Sequence, residues 1–127
     1  MHNFPPPSEP QDVRLRCRNN TYIGFAWELP ATWGGCALSH YELRLREQTR
    51  HGEWKEWAIV YRADARETEG GADRNPYACE AQVRAYNVGE AAPGPWSKGL
   101  YIASTREEEA SSKIQAPCLL WLYLPRL

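Results

Sequence analysis

The sequence lacks the features that mark several classes of protein. Its 15 Lys and Arg residues nearly balance 16 Asp and Glu residues, which gives no electrostatic reason to expect nucleic acid as a partner. The longest apolar run, CLLWLYL at 118–124, is far shorter than the roughly 20 residues of a membrane span, so no membrane insertion is predicted. Residues 1–10 also lack the basic and apolar regions of a secretory signal. A length of 127 residues predicts one domain with a modest core.

Residue groups that carry catalysis or bind metals are also scarce. The four cysteines include no C-x-x-C pair, which argues against a zinc ribbon or a thiol redox site. Cys36 and His40 have a spacing that suits two metal ligands on a helix but not on a strand. With only three histidines, no Ser/His/Asp order or pair of catalytic carboxylates stands out. The sequence therefore predicts no enzyme, no cofactor and no metal site.

Helical periodicity is absent from residues 10 to 104, and short alternating segments recur instead. In DVRLRCR, Val13, Leu15 and Cys17 are predicted to face inward while the arginines, including Arg18, face solvent. Six further segments predict strands in the same way: TYIGFAWELP, SHYELRLRE, EWKEWAIVY, a weak one near 65–70, YACEAQVRAYN and WSKGLYIAST. Seven short strands separated by turn signals predict an all-β, antiparallel β-sandwich.

Two flanking segments break this rhythm. Residues 1–9 are predicted to be a stiff, Pro-rich linker that leads into a domain of residues 10–104. The spacing of Pro7 and Pro10 leaves recognition by an SH3-type partner open. Residues 105–127 are predicted to form an atypical C-terminal tail, either a short helix or a disordered segment.

Three stretches, taken together, resemble a fibronectin type III domain. They are Trp27 followed by Pro30, GGCALSHYELRLRE, and VRAYNVGEAAPGPWS. In that family a core Trp ends the second strand, and a Gly-Gly loop leads into a third strand that begins Tyr-x-apolar-x-apolar. The sixth strand carries Val-x-Ala-x-Asn-x-x-Gly. The resemblance implies a seven-stranded, immunoglobulin-like sandwich whose core signature is Trp27, Tyr41, Leu43, Val83 and Ala85.

The sequence departs from the family at the tyrosine corner. Family members usually have a Tyr four residues before the Val of the sixth strand, where this chain has Cys79. The resemblance therefore implies an altered corner, in which Tyr77 acts from a shifted register. It also implies that Cys17 and Cys79 lie at the same end of the sandwich on opposite sheets. Buried free thiols are expected there, and a disulfide between the two is the alternative.

Arginines and tryptophans are expected to meet on one outer face. Arg44, Arg46 and Arg84 point outward on two neighbouring predicted strands, and Trp96 lies beside them. An interleaved Arg/Trp stack resembling that of cytokine-receptor domains is expected there. Trp54 and Trp57 are three residues apart, so a regular strand would place them on opposite sides, one in the core and one exposed.

The resemblance implies a non-catalytic spacer or protein–protein interaction module of a larger receptor, adhesion or scaffold protein. The candidate binding residues are Trp33, Glu90, Arg84 and Trp96. One alternative is a carbohydrate-binding module of a secreted enzyme, with Trp33, Trp57 or Trp96 as the sugar platform. The other is a cytokine-receptor-like ligand-binding domain. We expect a monomeric isolated domain with a protein partner, and an extracellular or cell-surface location is favoured over the cytoplasm.

Overall fold

Two antiparallel sheets pack face to face in the structure, a computed structural model that describes residues 4–89 and 91–104. The strands are β1 Gln11–Arg18, β2 Ile23–Glu28, β3 Leu38–Gln48, β4 Ala58–Asp64, β5 Glu69–Ala72, β6 Ala78–Asn87 and β7 Leu100–Ile102. The smaller sheet has the order β1-β2-β5, and the larger has the order β4-β3-β6-β7. The seven-stranded, all-β sandwich predicted from the sequence is confirmed.

The core lies between the sheets and is built from alternate positions of the strands. Trp27 on β2 packs edge-on against Tyr41 on β3, with ring centroids 5.4 Å apart. Aligned register on β3 and β6 places apolar side chains opposite one another, pairing Tyr41 with Ala85, Leu43 with Val83 and Leu45 with Ala81. All of these residues are buried. Burial of this apolar surface is the main source of stability for such a domain.

Strand β1 departs from strict alternation. Its pairing with β2 shifts between Gln11 and Arg14 and again between Leu15 and Cys17. A shift of one residue moves a side chain to the opposite face of the sheet. As a result Leu15 is 41% exposed, whereas Arg18 is only 7% exposed. The prediction that Leu15 faces inward and Arg18 faces solvent is therefore wrong.

The buried Arg18 holds the connection between β5 and β6. Its guanidinium donates to the carbonyls of Pro76 at 2.6 Å and Ala103 at 3.0 Å, and to the side chain of Asn75 at 3.3 Å. These acceptors satisfy a charged group that would be costly to bury alone. At this altered corner the Arg18 guanidinium binds the backbone, while the ring of Tyr77 lies 5.9 Å from the Arg50 guanidinium.

The cysteines are not paired as the alternative proposed. Cys79 is buried with a free thiol, and Cys17 is disulfide-bonded. A Cys17–Cys79 disulfide is therefore wrong, and so is the expectation of a free thiol at Cys17. Burial raises the pKa of Cys79 to about 11, so its thiolate, the reactive form, is suppressed near neutral pH.

The Pro-rich segment before β1 lies against the sandwich. Pro7 is fully buried and Pro10 is also buried, so these two prolines are not accessible for binding to an SH3-type partner. Ser8 exchanges hydrogen bonds with the backbone of Thr32, and the amide of Asn87 donates to the carbonyl of Pro5 at 2.9 Å. The boundary between linker and domain at residue 9 stays a prediction, and the predicted tail over 105–127 lies outside the described residues.

Candidate interaction surface

The outer face of the larger sheet carries a row of alternating cations and aromatic rings. The guanidinium carbon of Arg44 lies 4.0 Å from the Trp96 ring centroid and 4.2 Å from that of Trp57. Arg84 covers Trp96 at 4.2 Å. Arg46 lies 4.1 Å from Trp54 and 5.1 Å from Trp57. We call this row the Arg–Trp stack: Trp54, Arg46, Trp57, Arg44, Trp96 and Arg84.

Further rings extend the Arg–Trp stack at both ends. Beyond Trp54, the ring of Tyr101 on β7 packs edge-on at 6.1 Å. Beyond Arg84, the ring of Tyr86 lies 5.6 Å away and is itself stacked on His40 at 4.1 Å. The row therefore crosses strands β3, β6 and β7 and includes residues from two connecting loops.

Cross-strand pairing on β3 and β6 positions the three arginines. The register places Glu42 opposite Arg84, Arg44 opposite Gln82, and Arg46 opposite Glu80. Arg84 donates to Glu42 through Nε at 2.9 Å and Nη2 at 2.8 Å. Arg46 binds Glu80 in the same way at 2.9 and 2.7 Å. The alternation of the two strands therefore sets three successive arginine pairs on one face.

The middle pair differs because its acceptor is neutral. Arg44 donates to the side-chain oxygen of Gln82 through Nε at 3.0 Å and Nη2 at 2.6 Å. Burial, and after it repulsion from Arg84, lowers the pKa of Arg44 from its ordinary value. An arginine still keeps its charge at neutral pH. The centre of the stack therefore holds a positive charge with no carboxylate bound to it in the described parts of the chain.

His40 and Tyr86, the two aromatic groups that lie beyond Arg84, also have shifted pKa values. Burial and then repulsion from Arg62 lower the pKa of His40, which favours the neutral imidazole. Burial and a hydrogen bond from the Tyr86 hydroxyl to Glu42, at 3.0 Å, raise the pKa of that tyrosine. Both groups are therefore neutral partners of the stack at pH 7.

Ser97 attaches the segment before β7 where regular strand pairing is missing. Its N–H donates to the carbonyl of Val83 at 2.8 Å, and its hydroxyl accepts from the N–H of Val83 at 3.0 Å. One residue therefore satisfies both backbone groups of a buried position on β6. This attachment holds the neighbouring Trp96 over the arginines.

The predicted site residues separate into two places. Arg84 and Trp96 come together with Arg44 and Arg46 in the Arg–Trp stack. Trp33 lies elsewhere, 39% exposed in the loop between β2 and β3, with its indole N–H donating to the carbonyl of Pro30 at 3.2 Å. Glu90 lies outside the described residues.

Sequence reasoning misplaced two members of the stack and missed its extensions. Trp54 and Trp57 precede β4, which begins only at Ala58, and both rings contact Arg46. The prediction that they face opposite sides of a strand is therefore wrong. Tyr86 shares a face with Arg84 by simple alternation, and that signal could have identified it.

Comparison with known structures finds the same fold in fibronectin type III domains. The chain is 19% identical to the third fibronectin III domain of the human KIAA0343 protein, covering 82% of this chain and 86% of that one, with a TM-score of 0.66. The FN5 domain of Drosophila Lar is 21% identical, with a TM-score of 0.57, and the match covers 77% of this chain and 96% of that one. A structure of titin domains is 20% identical with a TM-score of 0.57, and 78% of this chain matches 33% of that one.

The chain thus spans a third or less of the titin chains that it matches. No protein-family model matches it, and a search of curated proteins found no match. Within the described ranges no helix is long and apolar enough to cross a membrane.

Proposed function

Because the chain has the fibronectin type III fold, we propose that it is a non-catalytic spacer or protein-interaction module of a larger receptor, adhesion or scaffold protein. The matching titin and twitchin structures hold several domains in one chain, which is the setting of a spacer or interaction module. The fold alone does not choose between the two roles.

The spacer role is supported by where the chain enters and leaves the sandwich. Residues 5–8 contact Thr32 and Asn87 beside the loops at one end. Ala103, just after β7, accepts a hydrogen bond from Arg18 at the opposite end. A chain that enters at one end and leaves at the other lines up with its neighbours in a row, and tension along the row passes through the sandwich.

A pulling experiment tests the spacer role. The chain, held by both termini under reducing conditions, is expected to unfold in one step with a distinct force peak. The step should extend it by roughly 300 Å, since an extended residue spans at most about 3.6 Å. Trp96→Leu should lower the peak force because it removes the ring that lies between Arg44 and Arg84.

Trp33→Leu is the matched control, since Trp33 lies outside the Arg–Trp stack, and it should leave the peak force nearly unchanged. Extension without a force peak would contradict the spacer role. An equal loss in both variants would show that the stack does not resist the pulling force.

The interaction role, including the cytokine-receptor-like alternative, is supported by the Arg–Trp stack. Tryptophan and arginine are the residues most often found at the centre of binding surfaces. The stack lies on an open sheet face, where its end member Trp54 is 38% exposed and the adjoining Tyr101 is 52% exposed. A rigid row of such groups would bind a partner with little loss of side-chain entropy.

The carbohydrate alternative has less support at Trp57 and Trp96. A sugar stacks on the face of an indole, and Arg44 lies within 4.2 Å of both rings. A sugar would have to displace this guanidinium. Trp33 is free of the stack, so quenching of tryptophan fluorescence by a polysaccharide, lost in Trp33→Leu, would favour this alternative.

A further inference from the structure

The three arginines of the Arg–Trp stack form hydrogen bonds through the same edge of the guanidinium group. Each donates through Nε and Nη2 to one oxygen of the residue opposite it. Within the described ranges the Nη1 atoms of these three arginines make no hydrogen bond or ion pair. The end-on edge of each guanidinium, formed by Nη1 and Nη2, is the second edge that can bind a carboxylate with two parallel hydrogen bonds.

Arg44 differs from the other two in its charge balance. Glu42 and Glu80 form ion pairs with Arg84 and Arg46, whereas Arg44 is bound to the neutral Gln82 and has no carboxylate of its own. Trp57 and Trp96 lie over the guanidinium at 4.2 and 4.0 Å and hold its plane in place. A fixed guanidinium loses little conformational freedom when an anion binds to it.

We propose that the end-on edge of Arg44 binds an acidic side chain, Asp or Glu, of a protein partner that docks on the Arg–Trp stack. The inference rests on the proposed interaction role and names the chemistry of the partner. A discrete carboxylate fits better than a polyanion, because the carboxylates of Glu42 and Glu80 flank the site and would repel further negative charge. The chain as a whole also has a net charge of −1.

Two short peptides test the proposal with the full chain. The probe is acetyl-Val-Glu-Val-amide, and acetyl-Val-Gln-Val-amide has the same shape without the charge. NMR titrations would follow the indole N–H signals of Trp57 and Trp96. We expect a saturable shift with the Glu peptide and at least fivefold weaker binding of the Gln peptide.

Gln82→Glu is the decisive variant, because it supplies the missing carboxylate from within the stack. We expect it to weaken binding of the Glu peptide at least fivefold while the thermal midpoint stays equal or rises. Gln11→Glu adds the same charge at an exposed position on the other sheet and should keep the affinity of the unaltered chain. If Gln82→Glu does not fold, Arg44→Lys, which keeps the charge but loses the planar fork, should show the same loss.

Equal binding of the two peptides would overturn the proposal, and so would equal affinities in Gln82→Glu and Gln11→Glu. Tighter binding of a sulfated heparin fragment that Gln82→Glu does not weaken would also overturn it, in favour of a polyanion. None of these outcomes would alter the force peak expected of a spacer. The carboxylate proposal can therefore fail while the spacer role stands, and the reverse also holds.

Discussion

Arg18 and Cys79 show how burial at one end of the sandwich changes what a side chain does. The buried guanidinium of Arg18 donates to three backbone carbonyls and one side-chain amide oxygen instead of to water. These hydrogen bonds hold a corner that lacks the usual Tyr. Cys79 occupies the place where the family usually has the corner Tyr, and it behaves as a small apolar group. The nearby charge of Arg18 lowers the pKa of this thiol, but burial has the larger effect and raises it.

The raised pKa of Cys79 predicts a loss of stability in alkaline solution. The folded chain holds the thiol proton up to a pKa of about 11, whereas the ordinary value is 9.0. The folded state therefore binds more protons than the unfolded state between these values, and the free energy of unfolding falls as pH rises through them. The expected contribution is about 2–3 kcal/mol, since each pKa unit corresponds to about 1.4 kcal/mol.

Urea denaturation between pH 8 and pH 11 would measure this fall. Cys79→Ala is the comparison, because burial also raises the pKa of Tyr41 and that effect remains in the variant. The fall should be shallower in Cys79→Ala than in the unaltered chain. Parallel curves for the two proteins would contradict the assignment.

At the scale of elements, β7 is attached to the larger sheet by side-chain contacts as well as by its short backbone pairing. It contributes three residues to the larger sheet, which pair with Cys79, Glu80 and Ala81. Ser97 and the Arg–Trp stack provide additional attachment for the segment that precedes it. Tyr101 adds a contact from β7 itself, since its hydroxyl donates to Gln48 at 2.7 Å.

Arg84→Ala is expected to weaken this attachment. The change removes the guanidinium over Trp96 and leaves Glu42, whose side chain is only 14% exposed, without its ion pair. A loss of roughly 1–3 kcal/mol is expected from the cation–π contact and the unpaired carboxylate. Chemical denaturation would measure the loss, and the fluorescence of Trp96 should shift as its surroundings change.

Arg62→Ala is the control for this change, since Arg62 lies opposite Glu42 on β4 but is exposed. It should cost much less. If Arg84→Ala left both the stability and the Trp96 environment unchanged, the cytokine-receptor-like alternative would lose its support.

At the scale of the whole molecule, the segment before β1 contributes to the sandwich. Pro7 is fully buried, and its carbonyl lies so close to Gly94 that a Cβ added there would come within 2.2 Å of the oxygen. Ser8 adds a hydrogen bond to Thr32 in the loop between β2 and β3, and Pro5 adds one to Asn87 at the end of β6. The two ends of the described chain are thus each held by contacts, one at each end of the sandwich.

Removal of residues 1–8 should therefore destabilise the domain. We expect a loss of roughly 2–4 kcal/mol relative to a chain lacking only residues 1–3, because a buried side chain and several hydrogen bonds are lost. Urea denaturation of the two shortened chains would measure the difference. Equal stabilities would instead support the predicted linker boundary at residue 9.

The sequence by itself determined the architecture and the faces of the two longest strands. Alternation is a local property of an extended backbone, so SHYELRLRE and YACEAQVRAYN were enough to predict that Leu43 and Val83 face the core and that Arg44 and Arg84 face outward. The same alternation led to the expected meeting of the arginines with Trp96.

Only the tertiary structure decided the rest, because bulges and loop paths depend on contacts between residues distant in sequence. The shifted register of β1 exchanged the environments of Leu15 and Arg18. The irregular path before β4 brought Trp54 and Trp57 to one face, where arginines on β3 hold their rings. No period in the sequence encodes such a path, since its geometry is set by the groups that it meets.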